Sequence, residues 1–152
     1  MAEEVKVGDK APDFELPDQS GNTVRLGDFL GKKTVVLYFY PKDFSSGCTK
    51  EACAFRDNYE QFKDIGAEVI GVSSDTQESH GLFSVKLGLP FLILSDEGGK
   101  VRKTYGVPAS FGLIPGRVTY VIDKQGIVRY IFNSQINAEK HMEESLRILK
   151  TL

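Results

Sequence analysis

The chain of 152 residues has no tryptophan, two methionines, two histidines and two cysteines. Two cysteines cannot build the disulfide framework of a small secreted fold. His80 and His141 lack the paired cysteine spacing of a zinc site, and neither lies near a serine-nucleophile motif. An excess of either charge is missing too. Nineteen basic and 21 acidic side chains leave a net charge of −2, which gives no general reason to bind nucleic acid or an anionic membrane. No apolar run approaches the roughly 20 residues of a membrane span. The N-terminal Met-Ala-Glu-Glu-Val-Lys lacks the apolar stretch of a signal peptide and is too acidic for a transit peptide. These absences predict a soluble, intracellular protein of one domain, residues 1–152. Thiol chemistry is the possibility they leave standing.

What is present is ordinary globular material, 41% hydrophobic and 26% charged. A chain of this length buries roughly 68–70% of its unfolded surface, enough for a core without staples. Asp18-Gln-Ser-Gly-Asn22 is a turn between short alternating stretches, which predicts an N-terminal hairpin within Val5 to Leu30. Thr34-Val-Val-Leu-Tyr-Phe-Tyr40 has the pattern of a strand buried on both faces, ended by Pro41. Helical spacing follows from Gly47 to Phe62, then a second buried strand, Ala67 to Val72. Strand, helix and strand in about forty residues form a crossover with parallel strands.

A helix from Thr76 to Lys86, a strand at Phe91–Leu94 and a short helix near Gly99–Tyr105 come next. The runs Arg117–Asp123 and Ile127–Phe132 flank Lys-Gln-Gly as a hairpin. An amphipathic helix at Ala138–Leu149, with Met142, Leu146 and Leu149 inward, closes the chain. The order predicts an α/β fold with a mixed central sheet flanked by helices, closer to the thioredoxin layout than to a doubly wound sheet.

The informative stretch is Pro41-Lys-Asp-Phe-Ser-Ser-Gly-Cys48-Thr-Lys-Glu-Ala-Cys53, where a buried strand ends and a helix begins. Sites in α/β proteins gather at the carboxyl ends of strands. Ser45 and Ser46 are good N-cap residues, with Ser46 expected to keep that role, and they place Cys48 in the first helical turn. Unpaired N–H groups there stabilise a thiolate and are expected to draw its pKa from about 8.5 towards 3.5–7.5. A fall of about 2.5 units raises the thiolate fraction roughly tenfold near neutral pH. Nucleophilicity falls with a Brønsted slope of about 0.4–0.5 and takes back a similar factor. Fast chemistry therefore needs donors that stabilise charge developing in the transition state. Arg117, with five fixed donors, is a candidate, although sequence does not place it beside Cys48.

The stretch from Pro41 to Asp57 resembles the peroxiredoxin family. Its cysteine spacing resembles the peroxiredoxin Q, or bacterioferritin comigratory protein, branch. Phe91-Leu-Ile-Leu-Ser-Asp-Glu, Phe111-Gly-Leu-Ile-Pro-Gly-Arg117 and Gln135–His141 extend the likeness, the second of these most towards plastid and cyanobacterial members. The resemblance implies a thioredoxin-like fold and a peroxide substrate, with no cofactor and no metal. It makes Cys48 the peroxidatic nucleophile and Cys53 the resolving thiol of an intramolecular disulfide. Pro41 would shield the thiolate, Ser45 would hydrogen-bond the peroxide, and Arg117 would orient both. A thioredoxin-type reductant would reset the enzyme, and the chain is expected to be a monomer. Its expected location is the cytoplasm if bacterial, or a plastid if it is a processed form. Ser45 stands where the family commonly has Thr, Ser46 where it has Pro, and Phe44 where it has an acidic or polar residue.

That pairing has a mechanical consequence. Residues five apart on an ideal helix have Cα atoms about 8.6 Å apart, whereas a disulfide needs less than about 7 Å. The start of the helix has to unwind.

Other readings stand beside these. Cys53 reads equally well as core filler, and Arg117 as a solvated edge residue. His80 and His141 are expected at the surface or as caps, Tyr38, Phe39 and Tyr40 in the core, and Lys42, Lys50 and Lys63 on a solvated face. A thioredoxin-type oxidoreductase is the first rival function, disfavoured by the wide cysteine spacing. A non-catalytic redox sensor is the second.

Overall fold

A computed structural model describes residues 4–110 and 114–152. Strands β1 (Glu15–Pro17) and β2 (Thr23–Arg25) pair antiparallel as the expected hairpin. The Asp18 carboxylate accepts from the N–H groups of Ser20 and Asn22 and so closes its turn. The main body runs β3 (Thr34–Phe39), α1 (Ser46–Asp57), α2 (Tyr59–Asp64), β4 (Ala67–Ser73), α3 (Gln77–Leu87) and β5 (Leu92–Ser95). It continues with α4 (Lys100–Tyr105), β6 (Ala109–Ser110), β7 (Ile114–Pro115), β8 (Val118–Ile122), β9 (Val128–Asn133) and α5 (Ala138–Leu149).

Five strands form one mixed sheet in the order β5-β4-β3-β8-β9. β3 and β5 flank β4 in parallel, while β8 runs antiparallel to both β3 and β9. The fold is thioredoxin-like, with helices on the sheet as expected. β3 shows why its sequence is apolar throughout. Val35, Leu37 and Phe39 face a core shared with Phe14, Leu26, Tyr105 and Tyr120. Val36, Tyr38 and Tyr40 face a second core shared with Cys48, Phe55, Phe62, Phe83 and Leu149. Alternate residues of one strand thus serve two covered faces. In the second core Tyr38 stacks on Phe55 with ring centroids 4.6 Å apart, an arrangement worth about 0.5–1.5 kcal/mol beyond area burial.

Three expectations need correction. The helix expected from Gly47 to Phe62 breaks at Asn58, whose side-chain amide donates to the Ala54 carbonyl at 2.8 Å and ends α1. Asn competes with the backbone for such carbonyls, so it divides a helix that apolar spacing alone would continue. His80 and His141 are fully buried, not surface or capping residues. Each lies on the inward stripe of its helix, His80 three residues before buried Phe83 and His141 four before buried Ser145. The three lysines, Lys42, Lys50 and Lys63, are exposed as expected. Part of the Phe111–Arg117 motif, residues 111–113, lies outside the described residues.

Candidate active site

Two chain segments converge at one end of β3. β3 runs through Tyr40 and Pro41 into α1, which carries Cys48 as its third residue. The antiparallel register sets Val118 against Phe39, so Arg117, one step before β8, lies beside the exit of β3. The core fixes that register, because a slip by one residue would turn every apolar side chain of β8 to the wrong face. Packing therefore delivers an arginine to a cysteine 69 positions away in the chain.

The helix cap is Ser45, not Ser46. Ser45 is extended (φ −70°, ψ 153°) and its oxygen accepts from the Cys48 N–H at 3.4 Å. Its hydroxyl donates to the Lys42 carbonyl at 3.0 Å and also lies within hydrogen-bonding reach of the Cys48 side chain. Phe44 precedes it in a left-handed conformation, φ 65°, which a side chain occupies only under constraint.

Cys48 is 1% exposed. The Arg117 guanidinium hydrogen-bonds its side chain. Burial pushes the Cys48 thiol up, opposed by the Ser45 hydroxyl, the Arg117 charge and a backbone hydrogen bond from Lys42. The lowered value expected from the helix terminus is therefore not what the structure gives, because desolvation outweighs the donors. Those same donors are groups that would stabilise negative charge on the sulfur.

Arg117 is itself fixed. Its Nη1 donates to Glu51 Oε1 at 2.6 Å and its Nε to the Gln135 carbonyl at 3.2 Å. Glu51 is fully buried, one helical turn after Cys48. Burial pushes its carboxyl up to about 8, while Arg117 pulls it the other way. Its Oε2 makes no hydrogen bond and lies 3.6 Å from His141 Nδ1. His141 is held by the Ser134 carbonyl on Nε2 at 2.7 Å and by the Thr119 hydroxyl on Nδ1 at 2.8 Å. A carbonyl only accepts, so Nε2 carries the proton and Nδ1 accepts from Thr119. Burial lowers the His141 pKa to about 4, which agrees with that neutral tautomer.

Gly47 completes the close approach. A Cβ there would sit 2.8 Å from Arg117 Nη2. Alanine at this helical position would by propensity stabilise the chain by roughly 0.5–1 kcal/mol. Gly47→Ala is nevertheless expected to change the reactivity of the Cys48 thiol by on the order of tenfold to a hundredfold, because it displaces the guanidinium. Thermal melts and thiol alkylation rates on one preparation test this; an unchanged rate refutes it.

Cys53 is half-buried in the middle of α1, and both cysteines are free thiols. Pro41 is half-buried in the turn between β3 and α1. Among the described residues, Asp43, Asp75 and His80 form the one group with ligand atoms within 4.8 Å of one another. Their atoms are already engaged in hydrogen bonds, His80 Nδ1 to Asp43 and Nε2 to the Leu94 carbonyl.

Residues 7–131 match the AhpC/TSA family. The chain is 57% identical over 149 residues to the chloroplastic peroxiredoxin Q of Triticum aestivum, covering 97% of this chain and 68% of that one. The chain belongs to the peroxiredoxins, in the Q branch. In structure this peroxiredoxin resembles the peroxidoxin BcpB of Mycobacterium tuberculosis, with TM-score 0.91 and 36% identity, over 98% of this chain and 99% of the other. It is also similar to the bacterioferritin comigratory protein of Xanthomonas campestris, solved for its alkyl peroxide reduction activity. There the TM-score is 0.85 and the identity 27%, over 97% and 96% of the two chains. The protein is a thiol peroxidase.

Sequence reasoning on this peroxiredoxin passed over Glu51, Gly47, Asp43 and His141. Glu51 carried a signal: Cys48, Glu51, Ala52 and Phe55 recur at the spacing of a buried stripe, and an acidic residue on such a stripe needs a partner. Gly47 carried none, since the close contact is with a residue far along the chain.

Proposed function

We propose that Cys48 is the peroxidatic thiol and that it reduces hydrogen peroxide and organic hydroperoxides. The Cys48 thiolate attacks the terminal oxygen of ROOH and the O–O bond breaks. The sulfur takes one oxygen as sulfenic acid, and RO⁻ takes a proton and leaves as ROH. Cys53 then condenses with the sulfenic acid, forming the S–S bond and releasing water. A thioredoxin-type dithiol reduces that disulfide by exchange and becomes the disulfide itself. Arg117 and Ser45 would hold the thiolate and the peroxide together, with Pro41 screening the sulfur from bulk water. The reading rests above all on the Arg117 guanidinium hydrogen-bonded to the Cys48 side chain at the capped start of α1. A peroxide with an apolar substituent is included because Phe44, 48% exposed, stands beside Ser45, and the Xanthomonas neighbour acts on alkyl peroxides. The chloroplastic names of the plant relatives favour a plastid over a bacterial cytoplasm. We take the working unit to be a monomer and a single domain.

The test mixes reduced protein with one equivalent of hydrogen peroxide and follows thiol loss. Wild type should form one intramolecular disulfide, and Cys53→Ser should accumulate a trappable sulfenic acid. Cys48→Ser should react no faster than free cysteine. Sulfenic acid trapped in Cys48→Ser, or wild-type oxidation at the free-cysteine rate, would overturn the assignment.

A further inference from the structure

Asp43, two residues after Pro41, is 2% exposed and accepts more hydrogen bonds than its place in a loop requires. Its Oδ1 accepts from the Tyr40 hydroxyl at 2.6 Å. Its Oδ2 faces the Ser79 hydroxyl at 2.8 Å and His80 Nδ1 at 2.7 Å, both from α3. Its backbone N–H donates to the Asp75 carboxylate at 2.8 Å, which the Ser73 hydroxyl also reaches at 2.7 Å. On the far side of the His80 ring, Nε2 lies 2.9 Å from the Leu94 carbonyl. A carbonyl can only accept, so Nε2 carries a proton, and the ring bridges the Leu94 carbonyl and the Asp43 carboxylate.

The segment so pinned is the one that serves Cys48. Lys42, before Asp43, gives the backbone hydrogen bond to the cysteine side chain, and Ser45, after Phe44, gives the hydroxyl. Between them the backbone passes through the left-handed conformation of Phe44, φ 65°. A short segment holding a side chain there will relax unless its neighbours prevent it. Asp43 is the one residue of the segment fully sunk into the protein, and His80 ties it to α3.

We propose that Asp43 and His80 are positioning residues: a buried latch that holds the Lys42–Ser45 segment so that its donors face the Cys48 sulfur. The inference rests on Cys48 as the reactive thiol. It differs from that reading in what it requires, because the latch tunes thiol ionisation whether or not peroxide is turned over.

Two isosteric variants separate positioning from mere support. An asparagine amide nitrogen falls near Nδ1 of the histidine it replaces, so His80→Asn keeps the tie to Asp43 and loses the one to Leu94. A glutamine nitrogen falls near Nε2, so His80→Gln does the reverse. The readout is the pH midpoint of Cys48 alkylation by iodoacetamide, taken in a Cys53→Ser background so that one thiol reports. His80→Gln should raise the midpoint by about one unit, a tenfold loss of thiolate at a given pH, while His80→Asn stays near the parent. Equal midpoints in all three proteins, or equal shifts in both variants, would overturn the latch. Should either variant fail to fold, Asp43→Asn in the same background answers in its place: it replaces one of the two oxygens that meet Tyr40, Ser79 and His80 and should raise the midpoint likewise, and an unchanged midpoint refutes the proposal. A failed peroxide assay leaves these midpoints readable, so the two readings fall separately.

Discussion

Arg117→Met is expected to lower kcat/KM for hydrogen peroxide by about 10²–10³-fold, the usual effect of removing one donor aimed at developing charge. Its fold should survive, for a reason that lies in Glu51. Breaking a committed buried ion pair costs about 3–5 kcal/mol, because the remaining charge is stranded. Burial already holds Glu51 near 8, so without Arg117 its carboxyl stays protonated at neutral pH instead of sitting there charged. The cost at pH 7 should accordingly fall below that range.

The pH dependence carries a definite sign. A carboxyl whose folded pKa is raised binds its proton more tightly in the native state than in the unfolded chain. Stability is intact below the unfolded value of about 4.3 and falls as pH rises towards the folded value. Removing Arg117 takes away a group that holds the Glu51 pKa down, so the falling window widens upward. Melts at pH 6 and pH 9, with stopped-flow peroxide rates, test both halves. A variant as active as wild type would show that the guanidinium does not act on the sulfur. Arg117→Lys should resemble the methionine variant more than wild type, since an ammonium cannot span Cys48, Glu51 and the Gln135 carbonyl at once.

How far this site could be read in advance follows from which contacts are local. The β3 strand, the turn at Pro41 and the capped start of α1 are all written within about fifteen consecutive residues, and Cys48 stood out there. The pairing of Cys48 with Arg117 is not local. It depends on β8 lying antiparallel to β3 in one register, which many alternating sequences could satisfy. Burial of the two histidines was legible from helical spacing but was outweighed by the ordinary tendency of such residues towards the surface. The thiol was misjudged for a different reason. Helix position can be read from sequence, whereas depth cannot, and at 1% exposure depth decides the direction of the shift.

Oxidation to the Cys48–Cys53 disulfide is expected to melt the start of α1. In the reduced protein both cysteines lie in one unbroken helix, Ser46–Asp57, where their Cα atoms are about 8.6 Å apart in ideal geometry. Closing so short a loop is worth only about 2 kcal/mol in the chain-entropy model, and several helical hydrogen bonds of about 1 kcal/mol each are lost in exchange. Far-ultraviolet ellipticity should therefore fall on oxidation. Amide protection should vanish from Ser46 to Cys53 while β3 keeps its own. Unchanged protection across α1 would refute the idea.

Glu51 lies between the two cysteines, so unwinding draws its carboxyl away from Arg117 and into water. Its pKa then drops from about 8 towards the ordinary value of about 4.3. Between those limits, oxidation releases one proton beyond those of the two thiols. For a two-electron couple each further proton steepens the fall of midpoint potential with pH by about 30 mV per unit. The wild-type slope between pH 5 and pH 7.5 should exceed that of Glu51→Gln by this amount. Equal slopes would mean that Glu51 keeps its buried place while the disulfide forms, and that the helix opens by a route that spares the arginine.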